Sequence, residues 1–114
     1  MNIMECFRQG DVLIMEAKKT VAPSEKIPLD NGRIVLAYGE VTGHAHAIKA
    51  DPTQAEFFRI SDKDAEQAGD RLLRAKVPVV LLHEEHDPVN LAARDWIVRI
   101  QKEYSPEAIR NVAD

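Results

Sequence analysis

Short runs of apolar and β-branched residues, bounded by glycine, proline, asparagine or aspartate, recur along the chain. Such runs are typical of β-strands and are too short to favour helices. They lie at residues 10–16, 33–38, 56–60, 71–74, 77–82 and 95–101. We therefore expect an all-β or β-rich fold, a compact barrel or sandwich of about six or seven short strands. Ser105 and Pro106 indicate the start of a short C-terminal helix.

The size and charge of the chain limit the classes of function. Its 114 residues suffice for one core, so residues 1–114 are expected to form a single β-rich domain. The net charge of −4 argues against nucleic acid as a partner, because nucleic-acid binding normally requires a basic surface. The longest basic run is only Lys18-Lys19.

The composition also bears on location. No apolar stretch approaches the roughly 18 residues that a membrane span needs, and charged residues near the N-terminus argue against a signal peptide. A single cysteine, Cys6, fits a reducing compartment. We expect a cytoplasmic protein without a membrane partner.

The histidines fall in two close pairs. His44 and His46 lie one residue apart in the stretch 39–48, GEVTGHAHAI, and would project to the same face of a strand. Because Gly39 and Gly43 interrupt this stretch, we expect two strands with a bend between them and the histidine pair just past it. His83 and His86 flank two glutamates before a turn, where positions three apart come within about 7 Å.

This pattern predicts a site for a divalent transition metal, such as zinc, nickel, iron or manganese. Imidazole is a common ligand for these ions, so His44, His46, His83 and His86 are the candidate ligands if the two pairs are neighbours. The glutamates Glu40, Glu84 and Glu85 can supply an oxygen ligand or orient an imidazole from behind. Three protein ligands would leave an open position for chemistry on a small molecule, whereas four would make a structural site.

Other interpretations of the histidines stay open. The pairs can be surface residues of a non-catalytic interaction module that holds no metal, or a pH-sensitive element on a partner surface. Metal-free acid–base catalysis by two histidines is a further alternative, although no lysine or arginine cluster is evident for a phosphate. The possible partners are a small-molecule ligand and a second copy of the chain in a homodimer.

Two resemblances add to this interpretation. Gly39 followed by His44-Ala45-His46 resembles the beginning of the first cupin motif, which implies a metal-binding β-barrel, although Lys49 and Ala50 stand where cupins carry a glutamate. The blocks QGDVLI, GEVTGHAH, HEEH and QKEYSPEAIR, in this order, resemble those of small uncharacterised bacterial and phage proteins. The second resemblance implies no activity.

Overall fold

Ten β-strands make up the regular structure in the part of the chain that the computed structural model describes, which is residues 5–39, 41 and 43–101. The strands are β1 (Cys6–Gln9), β2 (Val12–Glu16), β3 (Glu25–Lys26), β4 (Arg33–Tyr38), β5 (Ala45–Lys49), β6 (Ala55–Arg59), β7 (Arg71–Ala75), β8 (Val79–Leu81), β9 (Val89–Leu91) and β10 (Asp95–Ile100). The β-rich fold expected from the sequence is therefore confirmed. Over these same residues, no helix is long and apolar enough to cross a membrane.

The strands form one large and two small sheets. Six strands pair in the order β1-β2-β10-β7-β6-β3, with antiparallel neighbours throughout. The hairpins β4-β5 and β8-β9 form the small sheets. An antiparallel bridge joins these two hairpins, because the N–H groups of Ala47 and Leu82 each donate to the other residue's carbonyl, at 3.0 and 2.9 Å.

One hydrophobic core lies between the sheets. Alternate side chains of a strand point to the same face, and the buried alternate residues of the large sheet meet those of both hairpins. This core includes Val12, Ile14, Phe57, Leu73, Trp96 and Val98 from the large sheet and Ile34, Leu36, Ile48, Val79, Leu81 and Leu91 from the hairpins. Trp96 is fully buried, and its indole N–H donates to the carbonyl of Ala92 at 3.0 Å. The large sheet and the two hairpins therefore share this core.

The expectation of a barrel is wrong for the described residues. The six-stranded sheet stays open, with β1 at one edge and β3 at the other. The other four strands pair as the two hairpins and do not extend this sheet. Three short strands, β1, β3 and β9, were not expected from the sequence. The predicted C-terminal helix at Ser105 and Pro106 lies outside the described residues.

The stretch before the first histidine pair reverses the chain, whereas the sequence predicts only a bend. Strands β4 and β5 are antiparallel, so the chain reverses direction between Tyr38 and Ala45. The Gly39 N–H donates to the His44 carbonyl at 2.8 Å and joins the two sides of this reversal. A register shift between Val35 and Ala37 adds an irregularity to β4. As expected, the histidine pair lies just past the interruption.

Candidate metal centre

All four histidines lie in one cluster. The bridge between Ala47 and Leu82 explains why, because the next antiparallel position back along β5 is His46 and the next position forward from Leu82 is His83. The ring centroids of His46 and His83 are 4.2 Å apart, and those of His83 and His86 are 4.7 Å apart. His44 lies 5.7 Å from His83. The structure therefore brings the two predicted pairs together.

Within the described part of the chain, His44, His83 and Glu84 form a compact group of potential metal ligands. One ligand atom from each residue lies within 4.8 Å of the other two. The rings of His44 and His83 are perpendicular, with an interplanar angle of 89°. Since an imidazole binds a metal in the plane of its ring, perpendicular rings can converge on one ion. Glu84, which the sequence suggested as an oxygen ligand or a supporting residue, thus lies close enough to both rings to be a potential ligand.

The carboxylate of Glu84 is held in place by the backbone. Its Oε1 accepts a hydrogen bond from the Ala45 N–H at 2.9 Å. This bond and one from its own backbone N–H lower the pKa of Glu84 below its usual value, so the group is charged near neutral pH. A carboxylate has two oxygens, and Glu84 can therefore keep the Ala45 contact while the other oxygen binds an ion.

His46 is the buried member of the cluster, with 5% of its surface exposed. Its Nδ1 lies 2.8 Å from Oε1 of the buried Gln9. Burial, together with the nearby His83 and His86, lowers the pKa of His46 to about 4. Asp11 and Glu84 oppose this shift only in part. The ring is consequently neutral at neutral pH, which is the form that binds metals.

His46 and His83 pack face to face rather than pointing at one ion. Their ring planes differ by 30° at a centroid distance of 4.2 Å. Planes that diverge so little do not meet within a metal–ligand bond of roughly 2.0–2.1 Å. In this arrangement, His46 supports the ring of His83, and joint ligation by both would require one ring to turn.

The Nδ1 atom of His83 already has a hydrogen-bond donor. The Glu85 N–H lies 3.0 Å from it and donates to it, so the neutral ring carries its proton on Nε2. Ligation through Nδ1 would displace the Glu85 N–H. Ligation through Nε2 would move the proton to Nδ1 and also break that contact. Metal binding by His83 therefore opens this hydrogen bond in either case.

The remaining predicted residues are more peripheral. Glu85 and His86 are exposed, and Glu85 Oε1 lies 3.9 Å from Nδ1 of His44. His86 nevertheless contacts the cluster, since its ring centroid is 5.9 Å from that of His46. Glu40 lies outside the described residues.

A pocket of about 380 Å³ opens beside the four histidines. The exposed side chains of Tyr38, Val41 and Ile100 give its wall an apolar part, and Asp11 and Glu85 add carboxylates. No lysine or arginine lines the pocket over the described part of the chain. The space suffices for a small molecule beside a bound ion.

Two residues of the cluster were missed by the sequence reasoning. The side chain of Gln9 hydrogen-bonds to the ring of His46. Gly10 packs against the ring of His86, so that a Cβ added at Gly10 would be 2.8 Å from Nε2 of His86. Gln9 is the last residue of β1, and Gly10 lies in the turn that follows it. A lone glutamine and a glycine before an aspartate indicate only a turn, so the sequence carried no signal that linked them to the histidines.

Comparison with known proteins adds a family. No curated protein and no solved structure matches the chain significantly, and the cupin resemblance is not shown by these comparisons. A family model, described as a domain of unknown function, matches residues 8–101. This span includes the four histidines, Gln9 and Gly10. The chain therefore belongs to the family of the domain of unknown function DUF8820.

Proposed function

We propose that this protein binds one divalent transition metal ion, with His44, His83 and Glu84 as its ligands. The observation that carries the proposal is the convergence of the three ligand atoms within 4.8 Å of one another. Tetrahedral zinc with bonds of roughly 2.0–2.1 Å needs its ligand atoms about 3.3 Å apart. A movement of about 1.5 Å would complete this geometry, and the exposed segment that carries His83 and Glu84 can supply it.

The donor set suits several ions. Two imidazoles and a carboxylate are compatible with zinc, nickel, iron or manganese. Three protein ligands leave a coordination position open, which is characteristic of catalytic rather than structural sites. The adjoining pocket gives a small molecule access to that position. A metal-dependent reaction on a small molecule is therefore the function that we propose for this centre.

Titration with zinc and cobalt tests the ligand set. We expect one ion per chain by calorimetry and elemental analysis, and a cobalt absorption spectrum typical of four or five ligands. Zinc at 100 times its Kd would stabilise the fold by about 2.7 kcal/mol. His83→Ala and His44→Ala should each remove this stabilisation.

Adjacent glutamates provide a matched control. Glu84→Gln should weaken zinc binding, whereas the same change at the exposed Glu85 should leave it near the wild-type value. Equal affinities of the two variants would rule out Glu84 as a ligand. If the wild-type protein bound none of zinc, cobalt, nickel, iron and manganese stoichiometrically, the metal proposal would fail and a non-catalytic interaction module would become the better hypothesis.

A further inference from the structure

The side chain of Gln9 is buried, with 2% of the residue exposed. Both its amide nitrogen and its amide oxygen have hydrogen-bond partners. Its Nε2 donates to the carbonyl oxygens of Leu81 and Asp87, at 3.0 and 2.9 Å. Because the amide nitrogen must face these two acceptors, the amide oxygen faces His46. That oxygen can only accept, so Nδ1 of His46 carries the proton and Nε2 carries the lone pair.

The same amide also hydrogen-bonds to both ends of the segment that carries the second histidine pair. Leu81 lies two residues before His83, and Asp87 follows His86 directly. One side chain at the end of β1 therefore contacts both ends of this segment and the imidazole on β5. The two halves of the candidate centre come from distant parts of the sequence, and Gln9 contacts both.

We propose that Gln9 is the positioning residue of the metal centre. It makes Nε2 the atom that His46 presents to the cluster, and it holds residues 81–87 where His83 and Glu84 can reach an ion. This inference rests on the proposed metal binding. Residues that hold the ligands in place from outside the coordination sphere typically contribute about 10- to 100-fold to metal affinity.

Two substitutions separate the two roles of Gln9. Gln9→Leu keeps the approximate volume but removes every hydrogen bond. Gln9→Glu keeps an oxygen that can accept the His46 Nδ1–H but loses both N–H donations to the backbone. Gln54→Leu is the control, because Gln54 accepts a hydrogen bond from the Asp51 N–H on the surface and does not contact the cluster.

The first measurement uses metal-free protein. Long-range ¹H–¹⁵N NMR spectra distinguish the two neutral tautomers of each histidine. We expect the Nδ1–H tautomer for His46 in the wild type, in Gln9→Glu and in Gln54→Leu, and a mixture of tautomers in Gln9→Leu. A wild-type ring protonated on Nε2, or one unchanged in Gln9→Leu, would overturn the assignment of the His46 tautomer to Gln9.

The second measurement is zinc affinity by calorimetry. We expect about 10- to 100-fold weaker binding in Gln9→Leu, a smaller loss in Gln9→Glu, and no change in Gln54→Leu. Wild-type affinity in both Gln9 variants would refute the positioning role while leaving metal binding intact. A wild type that bound neither zinc nor any other metal named above would instead refute metal binding, and the tautomer would still report whether Gln9 orients His46. Should Gln9→Leu fail to fold, Gln9→Glu carries the affinity test.

Discussion

Gly10 offers the most direct test of how tightly the histidine cluster packs. The residue has φ of +58°, in the left-handed region that glycine adopts easily. A Cβ at this position would lie 2.8 Å from Nε2 of His86 and 3.1 Å from Cε1 of His46. Ordinary contacts between such atoms are about 3.5–4.0 Å. Gly10→Ala must therefore displace at least one ring.

Gly32 is the matched control. It has φ of +75°, and a Cβ there would meet no atom within 4 Å. Alanine at positive φ costs about 1–2 kcal/mol, and the reduced freedom of the unfolded chain offsets about 0.4–1 kcal/mol. Gly32→Ala should therefore lower the free energy of unfolding by at most about 1.5 kcal/mol.

Gly10→Ala has the same cost of placing alanine at positive φ, and it adds the steric overlap between the new Cβ and the two histidine rings. His86 is exposed and can turn away, but His46 is buried and bonded to Gln9, so its ring cannot move freely. Excess volume in a packed site costs about 1–3 kcal/mol. We expect Gly10→Ala to be less stable than Gly32→Ala by this amount, which is roughly 4–12 °C in Tm.

Urea and thermal unfolding with a chelator present measure this difference without any contribution from metal. Circular dichroism should show the same strand content for both variants before unfolding. Equal stabilities of Gly10→Ala and Gly32→Ala would refute the reasoning, because they would mean that the two histidine rings do not pack against the turn between β1 and β2.

Two further predictions follow. Arg99→Met should lower the free energy of unfolding by about 3–5 kcal/mol, because it leaves the buried carboxylate of Asp70 without its cationic partner. Asp70 is 2% exposed and accepts two hydrogen bonds from Arg99, at 2.9 and 2.8 Å. Arg74→Met, in a more exposed pair, should cost about 1 kcal/mol or less, and equal losses in urea denaturation would contradict this account. Zinc should also break the hydrogen bond from the Glu85 N–H to Nδ1 of His83, which would shift the Glu85 amide resonance. An unshifted amide at saturating zinc would exclude His83 as a ligand.

Much of the strand content could be predicted from side-chain patterns. Strands β2, β4, β6, β7, β8 and β10 carry apolar or β-branched runs, and all overlap the predicted segments. Strand β3 could not be found this way, because Glu25 and Lys26 are polar and exposed. They pair with β6 through the backbone and through ion pairs with Arg59 and Glu56. The sequence pattern also does not indicate the order of the strands in the sheet. Whether the sheet closes depends on which edges pair, and local patterns do not specify that.

The candidate site was predictable in part. The spacing of the histidines identified the residues, but their proximity depends on the bridge between Ala47 and Leu82, two apolar residues without any distinguishing signal. The contact of Gln9 with His46 depends in turn on how the turn after β1 packs against that bridge. Local sequence can indicate ligand types, whereas the geometry of the centre is a property of the tertiary structure.

The long sequence separation of these contacts has a consequence for folding. Gln9 and His46 are 37 residues apart, Ala45 and Glu84 are 39 apart, and Gln9 and Asp87 are 78 apart. Large loops must close before any of these contacts can form, and closing them is slow and costly in entropy. We therefore expect the complete cluster to form late in folding. A metal ion would act chiefly on the native state, slowing its unfolding rather than accelerating its formation.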